Sequence, residues 1–209
     1  MKPIKLSNTN LDLIDLSRFD KYLMPKYKIS HNNGGYGFYE NSGTEHYKLL
    51  AYLSTLIDNE IILDIGTYQG GSALALSYNP SNTVISIDIK YQVETYIDLD
   101  NIYFLEGDIL RSEAGAVAVL IKSTNFILYD TVHDGDTELK FHNYLLDTNW
   151  EGICLWDDIK YRWTGAIREG MQSFWNSIDD NQKMDLTKYG HWTGTGLVWY
   201  GKKPKIILE

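Results

Sequence analysis

The stretch EIILDIGTYQGGSALALS, Glu60 to Ser77, decides the fold of this chain. An apolar run ends at Asp64 to Gly66, and Gly70 to Ser72 then opens a second apolar segment with helical spacing. Glycines at such a turn let the backbone approach a ligand closely, because they carry no side chain. The pattern therefore predicts a strand, a glycine-containing turn and a helix, with a ligand site at the turn.

The spacing of this turn separates it from the dinucleotide-binding fingerprint. That fingerprint requires G-x-G-x-x-G, whereas this turn has an acid two residues before its first glycine and a glycine pair four residues after it. Because Asp64 precedes the first glycine, the turn suits a cofactor that presents an amine or a cation better than a diphosphate. A plain strand-helix turn, in which Asp64 makes only local hydrogen bonds, is the alternative.

The size and charge of the chain narrow its class. Its 209 residues are enough for one substantial core, so residues 1–209 are predicted to form a single domain. The net charge of -9 disfavours nucleic acid as a partner. No apolar run is long enough to span a membrane and the N-terminus lacks a signal-peptide core, so we expect a cytoplasmic protein without a membrane partner. Homo-oligomerisation is compatible with the sequence. Cys154, the single cysteine, is expected to be a buried thiol.

Apolar runs alternate with helical patterns along the chain, which is typical of a mostly parallel sheet covered by helices on both faces. Two β-rich stretches near the end predict a hairpin with an antiparallel strand. The sequence thus predicts a Rossmann-like, doubly wound α/β fold with a seven-stranded, mostly parallel sheet and an antiparallel C-terminal strand. The predicted strands are Ile61–Asp64, Val84–Asp88, Ile102–Leu105, Phe126–Asp130, Gly152–Asp157, Met184–Thr187 and Thr195–Tyr200.

The first 41 residues show no regular pattern and are predicted to form an irregular N-terminal loop or lid. The glycine- and aromatic-rich segment Ser30 to Ser42 is the part expected to close over the site. Ser42 and Glu45 have the spacing of a capping box, and the apolar stripe from Leu49 to Ile57 predicts the helix that follows it.

Asp88 ends the second strand of the alternating pattern, about twenty residues after the glycine turn. At this position an acid accepts both hydroxyls of an adenosine ribose, although a turn-forming aspartate is the alternative. Together with Asp88, the turn supplies the predicted cofactor-binding residues Asp64, Gly66, Thr67, Gly70 and Ser72.

This turn resembles motif I of the class I methyltransferases that depend on S-adenosylmethionine (SAM). The resemblance implies SAM as the cofactor. It also implies that Asp108, in the Glu106-Gly107-Asp108 segment after the third strand, lies beside the adenine amine. Capping of the following turn is the alternative for Asp108.

Three further acids follow the later strands. FILYDTVHD places Asp130 at a strand end with His133 three residues on, and CLWDD places Asp157 and Asp158 at the next strand end. Carboxylates at adjacent strand ends repel one another unless a cation lies between them. All-oxygen ligation favours Mg²⁺, with Mn²⁺ or Ca²⁺ as alternatives, although Asp157 or Asp158 could instead cap the next helix.

The acids resemble those of metal-dependent small-molecule O-methyltransferases, which carry one acid after the fourth strand and an acid-acid or acid-amide pair after the fifth. The catechol branch typically has a lysine three residues after the first acid, whereas the branch that methylates macrolide sugars has a histidine there, as this chain does at His133. The resemblance implies transfer of a methyl group to a sugar hydroxyl, or to a glycan, with Asp130 and His133 as catalytic residues and His133 as the base. A structural role for His133 is the alternative.

Other functions remain open at this point. A catechol-like or other small diol is the second choice of acceptor. The triplet Asp134-Gly135-Asp136 has the form of a glycosyltransferase metal site, and a noncatalytic SAM-binding protein is a third reading. The other histidines have no informative spacing and are assigned no chemistry; they are His31, His46, His142 and His191.

Overall fold

A computed structural model of the chain describes residues 1–23, 37–90, 92–93, 97–111, 116–160 and 166–209. Helices α1 to α6 comprise Asn8–Asp12, Tyr47–Ser54, Gly71–Leu76, Ala116–Ser123, Asp136–Asp147 and Ala166–Ser177. Strands β1 to β9 comprise Ile4–Leu6, Ile61–Ile65, Thr83–Asp88, Ile102–Glu106, Thr124–Tyr129, Gly152–Asp157, Lys183–Asp185, Thr195–Tyr200 and Ile206–Leu208. Within the described ranges, 3₁₀ helices cover Leu16–Tyr22 and Asp180–Gln182.

Seven strands form the central sheet in the order β4-β3-β2-β5-β6-β8-β7. Strands β2 to β6 pair in parallel, and β8 runs antiparallel to both β6 and β7. The predicted doubly wound sheet with an antiparallel C-terminal strand is therefore confirmed. The chain order reverses between β2 and β5, which is where ligands bind in open α/β sheets.

Side chains alternate between the two faces of the sheet, as the pleat of a strand requires. Ile62 packs on one face with Leu49, Leu50 and Leu53 of α2, and these side chains are buried. On the other face Leu63 belongs to a second cluster, which also contains Phe141, Met171 and the fully buried Trp156 and Cys154. The predicted apolar stripe and the buried thiol are confirmed. No helix among the described residues is long and apolar enough to span a membrane.

The start of the chain corrects the sequence analysis. Residues 1–41 are not uniformly irregular, because β1, α1 and a 3₁₀ helix lie within the first 23, and β1 pairs in parallel with β9. Phe38 is completely buried against Tyr47, with ring centroids 4.7 Å apart, and so belongs to the core. Most of the predicted lid segment Ser30 to Ser42 lies outside the described residues.

The predicted capping box at Ser42 and Glu45 is also wrong. Helix α2 begins at Tyr47, and its N-cap is His46, whose side chain makes no capping bond. Glu45 is buried, with 1% of its surface exposed, and its Oε1 accepts a hydrogen bond from the His46 backbone N–H at 2.8 Å. The spacing was that of a cap, but the carboxylate points into the protein.

Candidate functional site

The glycine turn lies where the ends of β2 and β5 come together. Gly66 has a φ of +92°, and its N–H donates to the Ile87 carbonyl at 2.8 Å. A Cβ at this position would lie 1.6 Å from the carbonyl oxygen of Asp130. Both the backbone conformation and the lack of space require glycine here.

Gly66→Ala is therefore expected to reduce the free energy of unfolding by more than about 2 kcal/mol, because the main chain of two strands must separate. Gly107→Ala is the matched control, since a Cβ there meets no atom within 4 Å. Urea unfolding followed by circular dichroism compares the two variants. Equal stability of both would contradict the packing described for the turn.

Asp64 and Gly70 support this turn without facing the site. The Asp64 side chain is fully buried, and its Oδ2 accepts hydrogen bonds from the hydroxyls of Ser72 at 3.0 Å and Ser86 at 2.8 Å. Burial raises the pKa of Asp64 to about 6, although these hydrogen bonds oppose the shift. Gly70 has a φ of +88° at the N-cap of α3. Neither residue lines the adjoining cavity, so their predicted direct contact with a cofactor is replaced by a role in shaping the turn.

A cavity of about 960 Å³ opens along the carboxyl ends of the parallel strands. Its position matches the place where open α/β sheets hold their ligands. It joins the glycine turn and the later acids into one site. The predicted residues that line it are Gly66, Thr67, Ser72, Asp88, Asp108, Asp130, His133, Asp157 and Asp158.

Backbone hydrogen bonds hold Asp88 and Asp108 on one wall of this cavity. Asp88 accepts from the N–H of Tyr68 at 2.8 Å and from the N–H of Lys90 at 3.2 Å. Asp108 accepts from the N–H of Leu110 at 2.9 Å and pairs with Arg111 at 3.2 Å. Both carboxylates are therefore held at defined positions on the cavity wall.

His133 lies between two of the later acids. Its Nε2 is 3.3 Å from Asp130 Oδ1 and 3.6 Å from Asp158 Oδ2. Burial by itself would lower the pKa of His133, but the hydrogen bond and charge of Asp130, together with the charge of Asp158, raise it to about 9. Burial also raises the pKa of Asp130, and the charge of Asp157 adds to this effect.

Buried Glu138 fixes the loop that carries His133. Its Oε1 accepts from the His133 N–H at 3.1 Å, and its Oε2 accepts from the Gly135 N–H at 2.7 Å. The backbone of His133 has a φ of +57°, which is uncommon for a residue with a side chain. Such conformations concentrate at functional sites, where the surrounding structure compensates for the strain.

Two histidines and a glutamate that the sequence analysis left without chemistry surround Asp157. His46 Nδ1 lies 3.4 Å from Asp157 Oδ1, and His191 Nδ1 lies 3.2 Å from Asp157 Oδ2. Glu45 completes the group, 3.8 Å from His46 Nε2 and 3.9 Å from His191 Nε2. The prediction of no chemistry for His46 and His191 is thus corrected, because both contact the acid pair.

The pKa values of these buried groups depend on the charges that they place next to one another. Burial would lower the pKa of both histidines, but Asp157 and Glu45 raise the pKa of His46 to about 9 and that of His191 to about 12. Burial would raise the pKa of Asp157, but His191 and His46 hold it well below its usual range. Protons on the two histidines thus balance part of the negative charge that the sequence analysis assigned to a metal ion alone, and an ion bound by one of these histidines would take the place of its proton.

Asp158 is fixed on the other side of His191. Its backbone has a φ of +57°, its Oδ1 lies 3.4 Å from His191 Nδ1, and it accepts a hydrogen bond from the Thr193 hydroxyl. The alternative role as a cap of the next helix concerns residues 161–165, which lie outside the described residues; α6 is described from Ala166. Asp157 is the last residue of β6.

The donor set has the chemistry to hold a cation. Asp157, Asp158 and His191 each offer a ligand atom, and these atoms lie within 4.8 Å of one another. Asp157 Oδ1 is buried and accepts no hydrogen bond from the described residues. Asp130 belongs to neither of the clusters that could hold a metal ion in the described part of the chain, and it pairs with His133 instead. The predicted set of three aspartates is therefore not assembled in this geometry.

The Asp134-Gly135-Asp136 triplet follows His133 in the chain but does not face the cavity. Both aspartates are exposed and neither lines the cavity. Asp134 accepts from the N–H of Thr137 at 2.8 Å and from its hydroxyl at 3.0 Å, at the start of α5. The triplet therefore caps a helix, and the glycosyltransferase alternative loses its metal site.

Comparisons with solved structures identify the fold. No family model matches the sequence, and no curated protein matches it. Among solved structures, a Staphylococcus aureus protein to which caffeoyl-CoA O-methyltransferase activity is ascribed matches with a TM-score of 0.58 and 16% identity, over 93% of this chain and 100% of that one.

Two further solved structures have bound cofactor or product. The methyltransferase PaMTH1 of Podospora anserina, bound to S-adenosylhomocysteine (SAH), has a TM-score of 0.55 and 15% identity, over 94% of this chain and 89% of the PaMTH1 chain. The SAM-bound O-methyltransferase TomG of Streptomyces achromogenes has a TM-score of 0.52 and 15% identity, over 95% and 92%. The chain thus has the Rossmann-like fold of the class I SAM-dependent O-methyltransferases.

Proposed function

We propose that this protein is a SAM-dependent O-methyltransferase. The observation that carries the proposal is a single cavity with two kinds of residue on its walls. The Gly66 turn and Asp88 lie on one side, where a nucleoside fits against the backbone. His133, Asp157 and Asp158 lie on the other, where a hydroxyl can lose its proton. The solved structures of the same fold that hold SAM or SAH support this choice of cofactor.

Asp88 is the residue with the clearest expected contribution to cofactor binding. Asp88→Ala removes a carboxylate placed to accept the ribose hydroxyls, so affinity for S-adenosylhomocysteine should fall by about 10- to 100-fold. Isothermal titration calorimetry measures this change. Asp108→Ala tests the adenine side in the same way. An unchanged affinity in both variants would contradict the placement of the nucleoside.

On the acceptor side, we propose a hydroxyl of a sugar, of a sugar-bearing small molecule or of a glycan. The support is His133 at the position where the sugar-modifying branch of the resembling family has histidine and the catechol branch has lysine. A catechol-like or other small diol is the second candidate. A bound divalent ion, for which Mg²⁺, Mn²⁺ and Ca²⁺ are the candidates from the acids, would lower the pKa of an acceptor hydroxyl.

Side chains of the cavity account for proton transfer and for alignment of the reacting groups. His133 takes the proton of the acceptor hydroxyl on the ring nitrogen that Asp130 does not hold, while Asp130 orients the ring through Nε2 from 3.3 Å. Glu138 holds the loop so that the ring keeps its place. A base must be neutral, and positive charge near Asp130 and Asp158 would offset the acids that raise the pKa of His133. The buried cavity floor aligns the oxygen, the methyl group and the sulfur in line.

The test is methyl transfer from SAM carrying a ¹³C-labelled methyl group, followed by mass spectrometry. A panel of sugars and sugar-bearing compounds is compared with catechols and other diols, each with divalent ions and with EDTA. Label in the sugar panel that disappears with EDTA is the expected result. Label in the diols alone would favour the second acceptor class. Cofactor binding without label in either panel would indicate a noncatalytic SAM-binding protein.

A further inference from the structure

His191 occupies a position between three carboxylates. Its Nδ1 is 3.2 Å from Asp157 Oδ2 and 3.4 Å from Asp158 Oδ1, and its Nε2 is 3.9 Å from Glu45 Oε2. All four residues are more than nine-tenths buried, with exposed fractions of 7% for His191, 4% for Asp157, 6% for Asp158 and 1% for Glu45. One ring nitrogen thus faces the acid pair, and the other faces the glutamate.

Several polar atoms of this group have no hydrogen bond. Among the described residues, Asp157 Oδ1, Glu45 Oε2 and His191 Nε2 are buried and make none. Unsatisfied buried polar atoms are rare in native structures, and a bound ion or water is a common partner for them. Glu45 Oε2 and His191 Nε2 face each other, whereas Asp157 Oδ1 belongs to the acid pair on the other side of the imidazole. On that side the ligand atoms of Asp157, Asp158 and His191 lie within 4.8 Å of one another and define one position.

We propose that this position holds a first-row transition-metal ion, bound by Asp157, Asp158 and His191 Nδ1, with Glu45 as the carboxylate that orients the histidine. The inference deepens the proposed function, on which it rests for a divalent ion near the acceptor. It differs from the sequence-based expectation in its ligands, because His191 takes the place of Asp130. It also differs in the class of ion.

The histidine changes which ion the site prefers. Sites built from carboxylate and water alone suit Mg²⁺ and Ca²⁺, whereas an imidazole ligand favours Fe²⁺, Co²⁺ or Zn²⁺ and is compatible with Mn²⁺. Two carboxylates and one imidazole leave coordination positions for water or for acceptor hydroxyls. The site is therefore expected to discriminate against Mg²⁺.

Glu45 has the position that a supporting carboxylate takes in many metal sites. A metal-bound histidine usually donates its other ring N–H to a carboxylate or a carbonyl, which fixes the tautomer and the ring orientation. Glu45 faces His191 Nε2 in this way, and a small movement would close the 3.9 Å separation to a hydrogen bond. His46 Nδ1 lies 3.4 Å from Asp157 Oδ1 and helps to position the Asp157 carboxylate.

The first test measures metal binding and does not require methyl transfer. Purified protein is treated with EDTA, dialysed and titrated with Mn²⁺ while the free ion is followed by electron paramagnetic resonance. Mg²⁺ is then added as a competitor. We expect Mg²⁺ to displace Mn²⁺ only at about 100-fold excess or more. Displacement at equal concentration would overturn the proposed ion class.

Pulsed electron paramagnetic resonance of the Mn²⁺ complex tests the ligand directly. A histidine ligand gives a coupling to ¹⁴N, which is expected in the wild type and absent from His191→Gln. Glu45→Gln should keep the coupling but weaken Mn²⁺ binding by about 10- to 100-fold. No nitrogen coupling in the wild type, or an unchanged coupling in His191→Gln, would overturn the assignment of His191.

A matched control separates loss of a ligand from loss of a buried histidine. His142 is also buried, but its Nδ1 lies 2.6 Å from the Tyr200 hydroxyl, and it does not line the cavity. His142→Gln should keep both Mn²⁺ affinity and nitrogen coupling. Loss of both in this control would show that the loss in His191→Gln results from misfolding. The assignment of His191 would then depend on Glu45→Gln, which should keep the nitrogen coupling but weaken Mn²⁺ binding. S-adenosylhomocysteine binding, measured on the same samples, tests the proposed function separately, because either result can fail without the other.

Discussion

His133→Gln is expected to lower kcat by about 10²- to 10⁴-fold, because glutamine keeps the size of the side chain but cannot take a proton. Affinity for S-adenosylhomocysteine should stay within about twofold of the wild type, since His133 lies on the acceptor side of the cavity. Single-turnover kinetics with labelled SAM separate the two effects. The dependence of kcat on pH should also lose the limb that reports the base.

Glu138→Gln is the companion to this variant, because Glu138 holds the His133 loop through two backbone hydrogen bonds and touches no reacting atom. It should lower kcat but keep the pH profile of the wild type. A His133→Gln enzyme with the wild-type rate and pH profile would show that His133 is only a structural residue.

Asp157→Asn is expected to have the second large effect, a loss of turnover. It removes the charge that faces both His46 and His191 and that we propose contributes to the metal site. Turnover should fall by more than about 10³-fold, corresponding to the several kcal/mol that a positioned cation supplies to a developing charge. Affinity for S-adenosylhomocysteine should be retained, because Asp88 and the glycine turn remain intact.

Asp134→Asn is the matched control for Asp157→Asn, because this aspartate is exposed, lies outside the cavity and caps α5. It should leave turnover unchanged. Thermal unfolding of both variants is measured first, since Asp157 is a buried partner of two histidines. Equal losses of turnover in a folded Asp157→Asn and in Asp134→Asn would contradict the assigned roles and would favour the triplet as the metal site.

Local patterns were sufficient to predict the sheet. Apolar runs that end in an acid identified the parallel strands, and β6 was predicted with the bounds that the structure has, Gly152–Asp157. The glycine turn was also recognisable from the sequence. The structure explains why glycine is required there, because Gly66 has a positive φ and its Cα lies against the main chain of Asp130. These features depend on residues that are close together in the sequence.

The histidines of the site were not predictable in the same way. His46 precedes α2 and His191 lies before β8, so no sequence spacing connects either residue to Asp157. The antiparallel pairing of β6 with β8 places Thr195 opposite Asp157, and this register brings His191, whose N–H donates to the Thr195 hydroxyl, beside the acid. A predicted register for the C-terminal hairpin was the one signal that could have identified His191.

Glu45 shows why a correct pattern can give a wrong interpretation. Its spacing from Ser42 fits a capping box, yet the helix begins two residues after it and its side chain is buried beside two histidines. The energy of a single cap is about 1 kcal/mol, whereas leaving one member of a buried charge pair without its partner costs about 3–5 kcal/mol. Tertiary contacts therefore determined where this carboxylate points.

Calorimetric titration with S-adenosylhomocysteine, in the presence of Mn²⁺ and again with EDTA, tests whether the cavity binds SAM. We expect saturable one-to-one binding in both conditions, because we place the nucleoside against the Gly66 turn and Asp88, apart from the acid pair. The absence of binding in both conditions, with protein shown to be folded by circular dichroism, would contradict the proposal that the cavity binds SAM.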